Sequence, residues 1–90
     1  MYEWDPDKAR ANKAKHGVAF EAVYDFDWGE ALEVEDTRED YGEERWIALG
    51  PIKANLHVVV YAPRAENLRI ISLRKATKKE AKGYAEAKAK

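Results

Sequence analysis

The 90-residue chain has no cysteine, only two histidines, three prolines and five glycines. Without thiols there is no disulfide, no thiolate metal site and no cysteine nucleophile. Two isolated histidines without H-x-x-x-H spacing argue against zinc. No apolar run approaches the roughly 20 residues of a membrane helix. The opening "MYEWDPDKAR" lacks the apolar core of a secretion signal. There is no P-loop, no G-x-G-x-x-G, no G-x-S-x-G and no calcium loop. These absences point to a soluble intracellular protein that needs no cofactor and no membrane and is compatible with a reducing cytoplasm. The acidic run at residues 33–40 leaves a magnesium site open but has no motif for one.

What remains is apolar and heavily charged: 46% of residues are hydrophobic and 37% charged. That is enough apolar material for one core, so residues 1–90 read as a single domain. The net charge of -1 hides a partition. Residues 21–44 carry eleven acids and one base, Arg38. Residues 45–90 carry eleven bases and three acids. One surface is suited to a polyanion and another is acidic, unless the two halves neutralise each other across the fold.

"YEW" suits a short edge strand. Asp5 then Pro6 opens a helix, and Gly17 can close it in a left-handed conformation. "AFEAVYDF" predicts a second short helix, with Phe20, Val23 and Tyr24 on one face and Trp28-Gly29 as its break. "ALEVED", "RWIALG", "LHVVVYA" and "LRIISLR" predict four strands. "TREDYGEE" is a polar turn, and Gly50-Pro51 and "PRAEN" are the other links. Short links favour an antiparallel meander. Thr77 and Glu80 form a capping box opening a last helix, which Gly83 weakens. The class is α+β, with helices on one sheet face.

Three constellations can carry chemistry. Around "LRIISLRKATKKE", cations crowd a strand end and a helix start, where the macrodipole repels them. A broken local rule of this kind often marks a site, and helix N-termini bind phosphate. Strict alternation places Ile70, Ser72 and Arg74 on one face and Arg69, Ile71, Leu73 and Lys75 on the other. Ile71 and Leu73 look like core, which leaves the Ser72/Arg74 face for a ligand. A merely solvated lysine run is the plainer explanation. In "NKAKHG", Asn12 and His16 share a helix face beside Lys15. His16 suits proton transfer, although a histidine in a last helical turn also simply complements the dipole. His57, among valines, reads as packed. In "YGEERW", Glu44 suits a base and Arg45 a phosphate clamp, or the two are a surface ion pair.

Three blocks, "EWDPDKARANKAKHGVAF" (3–20), "GEERWIALG" (42–50) and "LRIISLRKATKKEAKGY" (68–84), resemble the BrnT family of ribonuclease toxins in the RelE-like superfamily. The signatures are N-x-x-K-H-G and R-I-I-S-x-R-K-A-T. Tyr2, Leu73 and Gly83 depart from the family's usual residues. The resemblance implies a curved antiparallel sheet with two N-terminal helices on one face and a C-terminal helix. It implies a metal-independent endoribonuclease that arrests translation. It also implies a ribbon-helix-helix, BrnA-like antitoxin, through whose complex operator DNA is bound. Cleavage by 2′-hydroxyl attack needs a base, an acid and cations for the transition state. Arg74 and Arg45 are the expected stabilisers, and Glu44 or His16 the proton carrier. Lys15, Arg69, Ser72, Lys75 and Lys79 are the expected RNA contacts. The alternatives are a non-catalytic RNA-binding module and a protein-interaction domain.

Overall fold

The computed structural model describes all residues 1–90. The first helix, α1 (Pro6–His16), is built as its ends predict. Asp5 accepts the Asp7 N–H at 2.8 Å, Pro6 occupies the first turn, and Gly17 closes the helix at φ 74°. A β-carbon would strain that left-handed conformation. α1 has no apolar side chains beyond Pro6 and three alanines, and its one buried residue is Asn12. The Asn12 side chain donates to the Val18 carbonyl at 3.0 Å and the Leu73 carbonyl at 2.7 Å. It also accepts the Leu73 N–H at 3.2 Å.

The expected second α-helix is instead two 3₁₀ segments, Phe20–Asp25 and Trp28–Glu30. The three-residue period explains the difference. Phe20, Val23 and Phe26 fall in register and are buried, whereas Tyr24 drops out of line and is 58% exposed. The break falls at Phe26-Asp27 rather than at Trp28, which opens the second segment. The Trp28 ring packs edge-on against Phe26 and Tyr61.

Five strands form one sheet in the order β1-β5-β4-β3-β2. They are β1 (Tyr2–Glu3), β2 (Leu32–Glu35), β3 (Trp46–Ile52), β4 (Asn55–Arg64) and β5 (Asn67–Lys75). β2 to β5 are antiparallel as expected, but β1 pairs parallel with β5, so the sheet is mixed. β1 covers only Leu68 and Arg69. Further along β5, Asn12 takes the place of a neighbouring strand at Leu73. Gly50 and Pro51 lie inside β3 rather than in a turn. The Pro51 carbonyl points away from β4 and accepts from Asp27, so the proline's missing N–H faces outward and costs no ladder bond. The hairpin turns fall at Lys53-Ala54 and Ala65-Glu66, where Lys53 and Ala65 adopt positive φ without glycine.

β5 contains a bulge. Val60 pairs with Ser72 and Tyr61 with Ile70, so Ile71 has no partner. The extra residue breaks the alternation expected from the sequence. Ile70 and Leu73 both turn into the core with Phe20, Val23 and Val59. Ile71 joins Ser72 and Arg74 on the opposite, helix-free side. Arg69 also belongs to that side, where it pairs with Glu43 beside Arg45.

The last helix, α2 (Lys78–Lys88), starts with the expected reciprocal capping box and buries no residue. It runs past the strand ends to Glu30, whose carbonyl accepts from the Tyr84 hydroxyl at 2.7 Å and whose carboxylate pairs with Lys88.

Two stability outcomes follow from this packing. Asn12→Ala strands three backbone groups and is expected to cost on the order of 3 kcal/mol in urea unfolding; a loss below about 0.5 kcal/mol would mean that water replaces the amide. Gly83 has open space around its missing β-carbon. Gly83→Ala is therefore expected to add about 0.5–1 kcal/mol, read as a higher urea midpoint, and a lower midpoint would contradict the helix.

Candidate functional site

The helix-free side of the sheet carries a groove of about 250 Å³. Ile47 on β3, Val58 and Val60 on β4, and Ile71 on β5 form its floor. Arg38, Arg45, Ser72, Arg74 and Glu80 form its walls. The arginines come from three places: the loop after β2, the entry to β3, and β5. The sheet brings Arg45 and Arg74 to one side because alternate residues on neighbouring strands share a face, and the loop adds Arg38.

Each guanidinium is held. Arg74 makes a two-pronged pair with Glu80, at 2.8 and 2.9 Å. Glu80 also accepts the Thr77 N–H at 2.8 Å, so one carboxylate serves the helix cap and the groove. Hydrogen bonding from Arg74 holds the Glu80 carboxyl down at about 2, against the opposing effect of burial. This resolves the crowding of cations at the helix start. The one acid of the first turn is committed to Arg74, while Lys78 and Lys79 point to solvent.

Arg45 lies over the Tyr41 ring, 3.9 Å from its centroid, and reaches Glu43 at 3.4 Å. Glu43 also pairs with Arg69, and with Arg64 at 3.7 Å. Burial pushes Glu43 up, but Arg69 and Arg45 outweigh it and lower its pKa. Arg38 is gripped through Nε and Nη2 by Asp36, both at 2.7 Å. That contact lowers Asp36 to about 2. These pairs contribute little net stability, whether screened by solvent or, for Asp36, offset by desolvation of the buried carboxylate. Their effect is orientation: five guanidiniums share three carboxylates on one side of the sheet.

Of the residues singled out from sequence, Arg45, Ser72 and Arg74 line the groove together. Arg69 adjoins it through Glu43. Lys15 and His16 line a second depression, with Asn12, that shares Ile71 and Ser72 with the groove. Glu44 is not brought to the groove. Its carboxylate accepts from Trp46 Nε1 at 2.7 Å, and Trp46 packs against the core side of the sheet. Lys75 lines a separate hollow near Leu56 and Ala81, and Lys79 stands exposed on α2. His57 is buried, with Nδ1 2.9 Å from the Asn55 carbonyl. No three His, Cys, Asp or Glu side chains converge as metal ligands.

Sequence reasoning missed Arg38 and Tyr41, inside what reads as a polar turn, and gave Glu43 no role beyond an ion pair at the strand entry. The available signal was Arg38 itself, the only base among eleven acids in residues 21–44.

The depressed carboxyls set an acid limit. Asp36 and Glu80 have folded pKa values below their ordinary 3.8 and 4.5. Their stabilising contribution is complete above those ordinary values and is lost as pH falls toward about 2. Urea unfolding between about pH 6 and pH 3 should therefore show a shallower loss for Glu80→Gln than for the natural chain. Parallel curves would deny the pair a role in acid stability.

Residues 4–80 match the family described as the ribonuclease toxin, BrnT, of type II toxin-antitoxin systems. No curated protein matches the chain. No helix is long and apolar enough to cross a membrane. The family match covers most of the chain and includes Arg38, Arg45, Ser72 and Arg74, so the chain belongs to the BrnT family of ribonuclease toxins of type II toxin-antitoxin systems.

Proposed function

We propose that residues 1–90 act as one cytoplasmic toxin domain that cleaves RNA without a metal ion, by attack of a 2′-hydroxyl on the neighbouring phosphorus. The observation that carries this reading is the shared groove of Arg45 and Arg74 over an apolar floor. A nucleobase can lie on Ile47, Val60 and Ile71 while the phosphate meets the guanidiniums. The attacking hydroxyl loses its proton as the O2′–P bond forms. The P–O5′ bond breaks, and the departing oxygen takes a proton. The products are a 2′,3′-cyclic phosphate and a 5′-hydroxyl. Arg45 and Arg74 stabilise the extra charge on the phosphoryl oxygens. His16, beside Ser72, is better placed than Glu44 to carry the proton. Lys15 and Arg69 then guide the strand to either side.

RNA cleavage of this kind arrests translation. The partner is a ribbon-helix-helix antitoxin of the BrnA type, and operator DNA is engaged only through that complex. The acidic flank suits a basic partner. Its exposed acids include Glu33, Glu35, Glu39 and Asp40, whereas Asp36 is buried under Arg38.

One observation favours the alternative of RNA binding without cleavage. The groove carboxylate Glu80 is committed to Arg74, Asp36 is buried beneath Arg38, and Glu44 turns away. A cleavage assay in EDTA separates the two. The natural chain should cut single-stranded RNA and leave cyclic phosphate ends. Arg74→Ala should slow cleavage by about 100-fold or more, and His16→Ala by a similar factor. RNA that is bound but stays intact would favour the binding module.

A further inference from the structure

Arg38 is built into the groove by a device that surface ion pairs do not need. Its partner, the Asp36 side chain, is fully buried, while Arg38 itself is 65% exposed. Asp36 takes Nε and Nη2 of the guanidinium and, at 3.3 Å, the backbone N–H of the same arginine. The Asp36 N–H in turn donates to the Arg45 carbonyl at 2.8 Å. One residue thus fixes the Arg38 side chain and closes the loop beside Arg45. A buried carboxylate contributes little net stability, because its desolvation offsets the attraction. Holding a charged group in one geometry is the better account of it. A guanidinium has five N–H donors, and the two given to Asp36 leave three. Arg38 lines the same groove as Arg45 and Arg74.

Resting on the RNA reading above, we infer that Arg38 is a substrate-positioning residue: its remaining donors hold a phosphate of the bound strand alongside those met by Arg45 and Arg74, and Asp36 is the strut that aims it. Asp36→Asn combined with Arg38→Gln removes the contact without changing net charge, so any electrostatic loss is local.

The probe is a short single-stranded RNA carrying 2′-O-methyl groups throughout, which binds but cannot attack its own backbone. Affinity is measured across a salt series. The double variant should bind several-fold more weakly, and its log–log salt slope should fall by about 0.7, the value of one single-strand phosphate contact. Lys53→Gln, in the β3–β4 turn and outside the groove lining, should keep the natural slope. A double variant with natural affinity and slope overturns the inference. In the unaltered protein, saturating probe should also protect Arg38 from phenylglyoxal under single-hit conditions. Unchanged modification there overturns it as well, whether or not the variant folds. If the natural chain shows no salt-dependent binding, the RNA reading fails and this inference with it. If Arg74→Ala weakens binding while the double variant does not, only the role of Arg38 fails.

Discussion

The side-chain amide of Asn12 joins a helix that has almost nothing apolar to bury to a strand that has lost its neighbour. β1 ends after two residues of pairing, so the rest of β5 would present open N–H and carbonyl groups. Asn12 supplies a donor and an acceptor to Leu73, as an adjacent strand would, and a second donor bond to Val18. An unmet buried backbone group costs about 1–3 kcal/mol, so this contact outweighs any surface ion pair in the molecule. It also sets geometry. With Asn12 fixed on Leu73, the same helix face sets His16 and Lys15 against Ser72.

The bulge at Ile71 complements that clamp. A regular strand would send Ile70 outward and Ile71 inward. The inserted residue instead gives the core Ile70 and Leu73 and gives the groove Ile71, Ser72 and Arg74. Bulges re-aim side chains, and they recur beside functional sites. The charged walls then follow from topology. β3 and β5 flank β4, so Arg45, just before the Trp46–Tyr61 pair, and Arg74, opposite Val58, line one groove diagonally across Val58 and Val60. The carboxylates behind the arginines keep the forks aimed but also occupy them, so under the proposed function a phosphate would have to displace Glu80 and Glu43.

The parts legible in the sequence are those with local causes. Asp5-Pro6, Gly17 and the Thr77/Glu80 box mark helix ends through one or two hydrogen bonds each, and all stand where expected. β2 was legible from the alternation of Leu32 and Val34 with Glu33 and Glu35, and β3 to β5 from their apolar, β-branched-rich runs. The 3₁₀ segments were not, because Phe20, Val23 and Tyr24 fit a period of 3.6 as well as Phe20, Val23 and Phe26 fit one of 3.0. The turns at Lys53 and Ala65 lack the glycine or asparagine that usually announces positive φ. The bulge has no local signature at all; it is set by pairing with β4. The same limit applied to the site. Arg45, Ser72 and Arg74 could be read from their strands, but Arg38 is drawn in by a carboxylate whose burial depends on the folded loop.

α2 illustrates how little holds the end of the chain. None of its side chains is buried, and its ties are Glu80 to Arg74 at one end and Tyr84 and Lys88 to Glu30 at the other. Segments with few apolar contacts open at a small fraction of the global free energy. Its amides should therefore exchange with solvent long before those of β4. Because Glu80 caps the helix and clasps Arg74 with one carboxylate, occupancy of that arginine and fraying of the last eleven residues of helix are thermodynamically linked.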